Sequence, residues 1–140
     1  MRKARIALAL GDPNGIGPEI AVKPAAATRE HADVVLVGDT VVIQDSVRRY
    51  GDGRPFPSRE VAAMAPSDYR PGELSSAAGA ATVAYVRHAV AMAQAGEVDA
   101  LISCPCSETA VNMAGIRFAG FQPLLAELTG TPADQTFMML

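Results

Sequence analysis

Tryptophan is absent from this 140-residue chain and aromatic residues make up only 5% of it, so any core must be packed by smaller side chains. Charge is sparse too, at 19% against 49% apolar residues. That balance excludes a disordered chain and is rich enough to build a core. Alanine is abundant, and a core of Ala, Val, Leu and Met suits helices lying closely on a sheet. No Lys/Arg run exceeds two residues and the net charge is −3, so the basic face of a nucleic-acid binder is missing. No stretch approaches the ~20 apolar residues that cross a bilayer, and the run at 6–10 is too short for a signal-peptide core. Neither a nucleic acid nor a membrane is expected as a partner. The two cysteines, Cys104 and Cys106, are separated by Pro105, and a disulfide closing so tight a ring would be strained. Free thiols in a cytoplasmic protein are expected instead. With only two distant histidines, His31 and His88, the cysteines make no zinc site.

Ile6-Ala7-Leu8-Ala9-Leu10 is apolar on both faces and stops at Gly11-Asp12-Pro13-Asn14-Gly15, which predicts a buried parallel strand and a turn. Gly17-Pro18-Glu19 opens a helix running to about Ala27, with proline at its first position and an acid in its first turn. Val34-Val35-Leu36-Val37 predicts a second buried strand, after which Asp39 or Thr40 caps a helix reaching about Tyr50. This alternation predicts an α/β fold, a mostly parallel sheet flanked by helices. Pro55, Pro57, Pro66 and Pro71 interrupt the middle, where one short strand is expected at 60–64 and otherwise loop. A long helix is expected over 75–95, with Val83, Val86, Val90 and Ala93 at spacings of three and four, ended by Gly96. Ala100-Leu101-Ile102-Ser103 predicts a third buried strand, followed by helices over 108–114 and 123–128. Thr136-Phe137-Met138-Met139-Leu140 reads as a strand that begins as the sequence stops. The expectation is one N-terminal α/β domain, residues 1–140, cut from something longer.

In open parallel sheets, ligands gather at the carboxyl ends of strands. Three turns qualify: 11–19, 38–40 and 104–109. Glycines at 11, 15 and 17 match neither the dinucleotide fingerprint nor the phosphate loop. They still set small residues and a helix N-terminus where backbone N–H groups can meet an anion. Asp12, Asn14 and Gly15 are therefore candidate substrate contacts, with a plain strand-to-helix turn as the alternative. Ser107, Glu108 and Thr109 are the candidates in the third turn, where Ser107 alternatively caps the next helix. A nucleophilic cysteine needs a base and a lowered pKa, and nothing pairs either histidine with a thiol, so inert buried cysteines are expected. No catalytic residue is assigned.

The run Gly11-Asp12-Pro13-Asn14-Gly15-Ile16-Gly17-Pro18-Glu19 resembles the opening signature of the 4-hydroxythreonine-4-phosphate dehydrogenase (PdxA-like) family. Later segments follow in that family's order: Gly96-Glu97-Val98-Asp99-Ala100, Cys104-Pro105, Ala114-Gly115-Ile116, Gly120, Leu124-Leu125-Ala126-Glu127 and Met138-Met139-Leu140. The resemblance covers essentially the whole chain. It implies the first domain of a two-domain dehydrogenase related in fold to isocitrate and isopropylmalate dehydrogenases, working as a homodimer on a small-molecule substrate in the cleft between domains. It also implies oxidation of a hydroxyl by NAD or NADP, with a divalent metal, and loss of CO₂ from the resulting β-keto acid. Metal on the hydroxyl oxygen favours hydride departure and then carbanion character at the carbonyl. The histidine ligands and most cofactor contacts are expected beyond residue 140, so no metal ligand or cofactor contact is assigned within the chain.

Departures from that pattern narrow the branch. The biosynthetic members read Gly-His-Thr-Glu where this chain has Gly120-Phe121-Gln122-Pro123, and their lysine shortly after Pro105 is replaced by Glu108. The string Cys104-Pro105-Cys106-Ser107-Glu108-Thr109-Ala110, the aromatic after Gly120, and Asp134-Gln135 resemble the terephthalate dihydrodiol dehydrogenases of the family. Those convert a cis-dihydrodiol dicarboxylate to protocatechuate and CO₂. Phe121 and Gln122 thereby become candidate substrate contacts, an aromatic ring offering apolar contact to a cyclohexadiene; the alternative is that Phe121 fills core. Two other functions stay open. One is 4-phosphohydroxy-L-threonine dehydrogenase of pyridoxal phosphate biosynthesis, or a related phospho-sugar-acid dehydrogenase. The other is a truncated, non-catalytic binding module.

Overall fold

The computed structural model describes residues 2–136. Within them, β1 (Ala4–Ala9), β2 (Ala32–Gly38), β3 (Ser58–Glu60) and β4 (Ala100–Ser103) form one parallel sheet in the order β3-β2-β1-β4. The helices are α1 (Gly17–Ala27), α2 (Thr40–Tyr50), α3 (Ser76–Gln94), α4 (Glu108–Met113) and α5 (Phe121–Thr129). Flanked by β2 and β4, β1 buries Ala7, Leu8 and Ala9 on successive positions, with Leu10 just past its end. That is why the run is apolar without alternation. The connections through α1 and α2 step one way across the sheet, and α3 returns from β3 to β4 beyond β1. Right-handed crossovers then put α1 and α2 on one face and α3 on the other.

Local chemistry sets the helix ends. Pro18 lies in the first turn of α1, where a missing N–H breaks no intrahelical bond. Ser75 caps α3 by accepting from the Ala78 N–H at 3.1 Å, and Ser107 caps α4 from the Ala110 N–H at 3.2 Å. α3 packs on β1, β2 and β4 and also carries α4. A Cβ placed on Gly79 would sit 2.0 Å from the Ala110 carbonyl oxygen, so only glycine lets these two helices touch there. No helix among the described residues is long and apolar enough to cross a membrane.

Several expectations need correction. Asp39 occupies the N-cap position of α2, but its carboxylate makes no cap bond. Instead it accepts from the Tyr85 hydroxyl at 2.6 Å and from the Ala63 and Met64 N–H groups. The strand expected at 60–64 is Ser58–Glu60, paired with Leu36, Val37 and Gly38 of β2. Residues 63 and 64 are drawn away from the sheet by Asp39. Among the described residues β4 pairs with β1 alone, and Ile102 is 49% exposed, so the two-faced burial expected of this strand is not seen within them. Ile102 lines an apolar groove of about 480 Å³ with Ile6, Leu8, Ile20 and Pro24. α5 begins two residues before the predicted start, at Phe121. The final predicted strand falls largely on residues 137–140, outside the described residues.

Candidate functional site

β1 and β4 run parallel with Ala9 opposite Ser103, so the turns that follow them emerge side by side. The Asp12 N–H donates to the Pro105 carbonyl at 3.0 Å and joins the two turns directly. Their approach is too close for side chains at two positions. Gly11 has φ +70°, and a Cβ on it would lie 2.3 Å from the Pro105 oxygen; one on Gly17 would lie 2.2 Å from the Leu10 oxygen. Two of the three glycines in the first turn are thus demanded by backbone contact. Gly15 faces only the Asp12 side chain at 3.3 Å, and its N–H donates to the Asp12 carbonyl.

Asp12 is nearly buried, and its carboxylate accepts from the Asn14 N–H at 2.9 Å. Burial raises its pKa, opposed by the backbone bonds of Asn14 and Gly15. Asn14 is 3% exposed. Its Nδ2 donates to the Asp68 carbonyl and to Ser75 Oγ, while its Oδ1 accepts from the Arg70 N–H at 2.8 Å. Sequence spacing held no sign of this tie, whose ends are 56 positions apart. The link from Asp39 to Tyr85 was equally hidden, although it is the contact that docks α3 against the end of β2.

In the other turn, Ser107 is engaged as the α4 cap, while Glu108 and Thr109 are exposed at that helix's first turn. Cys104 is buried and free, its thiol pushed up to about 11 by burial alone. Burial also raises the Cys106 thiol, helped by the nearby charges of Glu108 and Asp12. Neither sulfur is a thiolate near neutral pH, so the turn offers no cysteine nucleophile. Ser103 Oγ is buried with no hydrogen-bond partner among the described residues. Among the described residues no cluster of three His, Cys, Asp or Glu side chains fits a metal ion, and both histidines are exposed on separate segments.

Phe121 and Gln122 belong to a second group. Gly120, at φ +114°, turns the chain into α5. Phe121 packs edge-on against Phe118 with ring centroids 5.5 Å apart, and Gln122 Nε2 reaches the Thr136 carbonyl at 3.4 Å. The structure thus joins Asp12, Asn14 and Gly15 to the turn carrying Ser107, Glu108 and Thr109. Phe121 and Gln122 make their ring contact and hydrogen bond within the 118–136 segment, and Phe121 also packs against the core, where α5 meets α3.

Known proteins share this fold. Residues 19–140 match the family described as pyridoxal phosphate biosynthetic protein PdxA. A 1,2-dihydroxy-3,5-cyclohexadiene-1,4-dicarboxylate dehydrogenase from Comamonas sp is 37% identical over 97% of this chain and 44% of its own length. The crystal structure of a terephthalate 1,2-cis-dihydrodiol dehydrogenase from Burkholderia xenovorans LB400 is 44% identical with a TM-score of 0.80, over 95% of this chain and 43% of that one. A 4-hydroxythreonine-4-phosphate dehydrogenase from Burkholderia phymatum superposes with a TM-score of 0.83 at 26% identity, over 94% of this chain and 45% of that one. The chain spans less than half the length of these relatives. With its opening signature folded into the paired turns, and a match running from residue 19 to residue 140, the chain belongs to the PdxA family, and the three relatives named above are dehydrogenases.

Proposed function

We propose that this chain forms the N-terminal part of an NAD(P)-dependent, decarboxylating dehydrogenase acting on a terephthalate-type cis-dihydrodiol dicarboxylate. The observation that carries the proposal is the 44% identity to a terephthalate dihydrodiol dehydrogenase, against 26% to a hydroxythreonine-phosphate enzyme of equal structural likeness. Phe121 and Gln122, where the resemblance implies histidine and threonine in the biosynthetic branch, support it. In the reaction, hydride leaves the secondary carbinol for the nicotinamide and the hydroxyl proton is released. The carbonyl formed is β to a carboxylate, so the C–C bond to that carboxylate breaks, CO₂ departs, and the ring becomes aromatic as protocatechuate.

The roles proposed for this chain's own residues are binding and orientation. The first-turn N–H groups of α1 have no side-chain cap and suit a substrate carboxylate. Asp12 and Gly15 in the turn after β1, with Glu108 and Thr109 in the turn after β4, are the proposed substrate contacts. The role proposed for Phe121 is apolar contact with the cyclohexadiene, with Gln122 meeting a polar group. A divalent metal, with ligands outside the described residues, and a homodimer complete the proposal.

The test replaces the matching part of the Burkholderia xenovorans enzyme with these 140 residues and follows NAD⁺ and NADP⁺ reduction, with and without chelator. Turnover of the terephthalate cis-dihydrodiol to protocatechuate is the expected result. Turnover of 4-phosphohydroxythreonine in its place would assign the chain to the other branch.

A further inference from the structure

Residues 70–74 are all exposed, including Leu74 at 53%, so no buried apolar side chain anchors them. They are nevertheless fastened to the turn after β1. The Asn14 carboxamide bonds the Asp68 carbonyl, the Arg70 N–H and the Ser75 hydroxyl, and the Asn14 carbonyl accepts from the Gly72 N–H at 2.7 Å. The other fastening is Tyr69 at the near end, half-buried against the core with its hydroxyl donating to Asp45 of α2 at 2.8 Å, so the stretch beyond it relies on Asn14. Ser75 Oγ also caps α3, so one buried amide joins the β1 turn, this segment and the start of α3. Surface polar segments without a hydrophobic anchor open at low cost unless hydrogen bonds hold them. A buried amide left unpaired is costly, which makes the attachment reciprocal.

We propose that Asn14 is a latch: its buried carboxamide holds residues 68–75 as one strap beside Gly15 and the start of α1, and it acts through that strap rather than by touching substrate. The proposal rests on this geometry and not on which substrate is turned over.

Hydrogen exchange of this chain, followed by NMR and corrected for intrinsic rates, tests it in the wild type and in Asn14→Ala. The Arg70 amide loses its acceptor in that variant and must exchange faster in any case. The Gly72 amide keeps its acceptor, the main-chain carbonyl of residue 14, and is diagnostic. Its exchange should rise about tenfold or more if the strap is released as a unit. The Leu10 and Cys104 amides, bonded to Val37 and Ala9 in the sheet, should be unchanged. Asn14→Asp keeps an acceptor for Arg70 but sets a carboxylate against the Asp68 carbonyl, so its Gly72 rate should fall between the other two. It also serves if the alanine variant does not fold. Acceleration at Arg70 alone would reduce Asn14 to a single local bond and overturn the latch. Equal acceleration of Gly72, Leu10 and Cys104 would make it a general stability residue and overturn the latch equally.

Discussion

Phe121 is half-buried against Phe118, yet it stands where the resemblance places a substrate contact. The two roles separate experimentally. In the chimeric enzyme, Phe121→His with Gln122→Thr exchanges an apolar face for a polar ring. Specificity for the dihydrodiol, read as kcat/KM, should fall roughly 10- to 200-fold, or about 1–3 kcal/mol. A thermal melt of the same protein should drop far less than that loss implies. A fall only in step with stability would make Phe121 a packing residue. Asp52 offers a pH test. The Arg54 guanidinium, together with Arg29, holds its carboxyl down at about 2, below the usual 3.8. A carboxyl depressed by folding stabilises the native state above its unfolded pKa and loses that contribution as pH falls through the folded one. The urea midpoint should therefore decline between about pH 4 and pH 2 in the wild type, and decline less in Asp52→Asn.

Among the elements, α4 depends most on its neighbours. Six residues are too few to hold a helix alone, so the Ser107 cap and the α3 surface must keep it in place. Gly79 is the point of contact, with the Ala110 carbonyl where a Cβ would go. Gly79→Ala has a better helix former in α3 but must push α4 outward. A net destabilisation of about 1–3 kcal/mol is expected, measured by urea unfolding. Amide shifts should move at Ser107, Ala110 and Val111 and stay put in β2. Unchanged stability would mean that α4 slides freely on α3.

For the molecule as a whole, the 140 residues alone should reduce neither NAD⁺ nor NADP⁺ with either candidate substrate, because the family resemblance implies metal-binding histidines other than His31 and His88. Without charge stabilisation at the hydroxyl oxygen, hydride transfer loses several kcal/mol. Metal-dependent NADH formation by the isolated chain would refute this expectation. The paired turns at the carboxyl ends of β1 and β4 were legible in advance, since two parallel strands followed by turns must share a sheet edge. So were the bounds of α1 and α2, because Gly17-Pro18 and the Gly38-Asp39 turn act on the backbone within a few positions of themselves, although neither helix start carries a side-chain cap bond. The place of β3 was not legible, because pairing with Leu36, Val37 and Gly38 chose Ser58–Glu60 over the more apolar stretch just after it. Nor was the use of Asp39 and Asn14, whose partners lie 24 to 61 positions away. Local backbone preference and hydrophobic period are written residue by residue, so the sequence by itself determined the elements, their order and the family signature. Which buried polar group meets which, and which residues of the 58–64 stretch join the sheet, are decided only when packing brings distant segments together and each buried donor must find an acceptor.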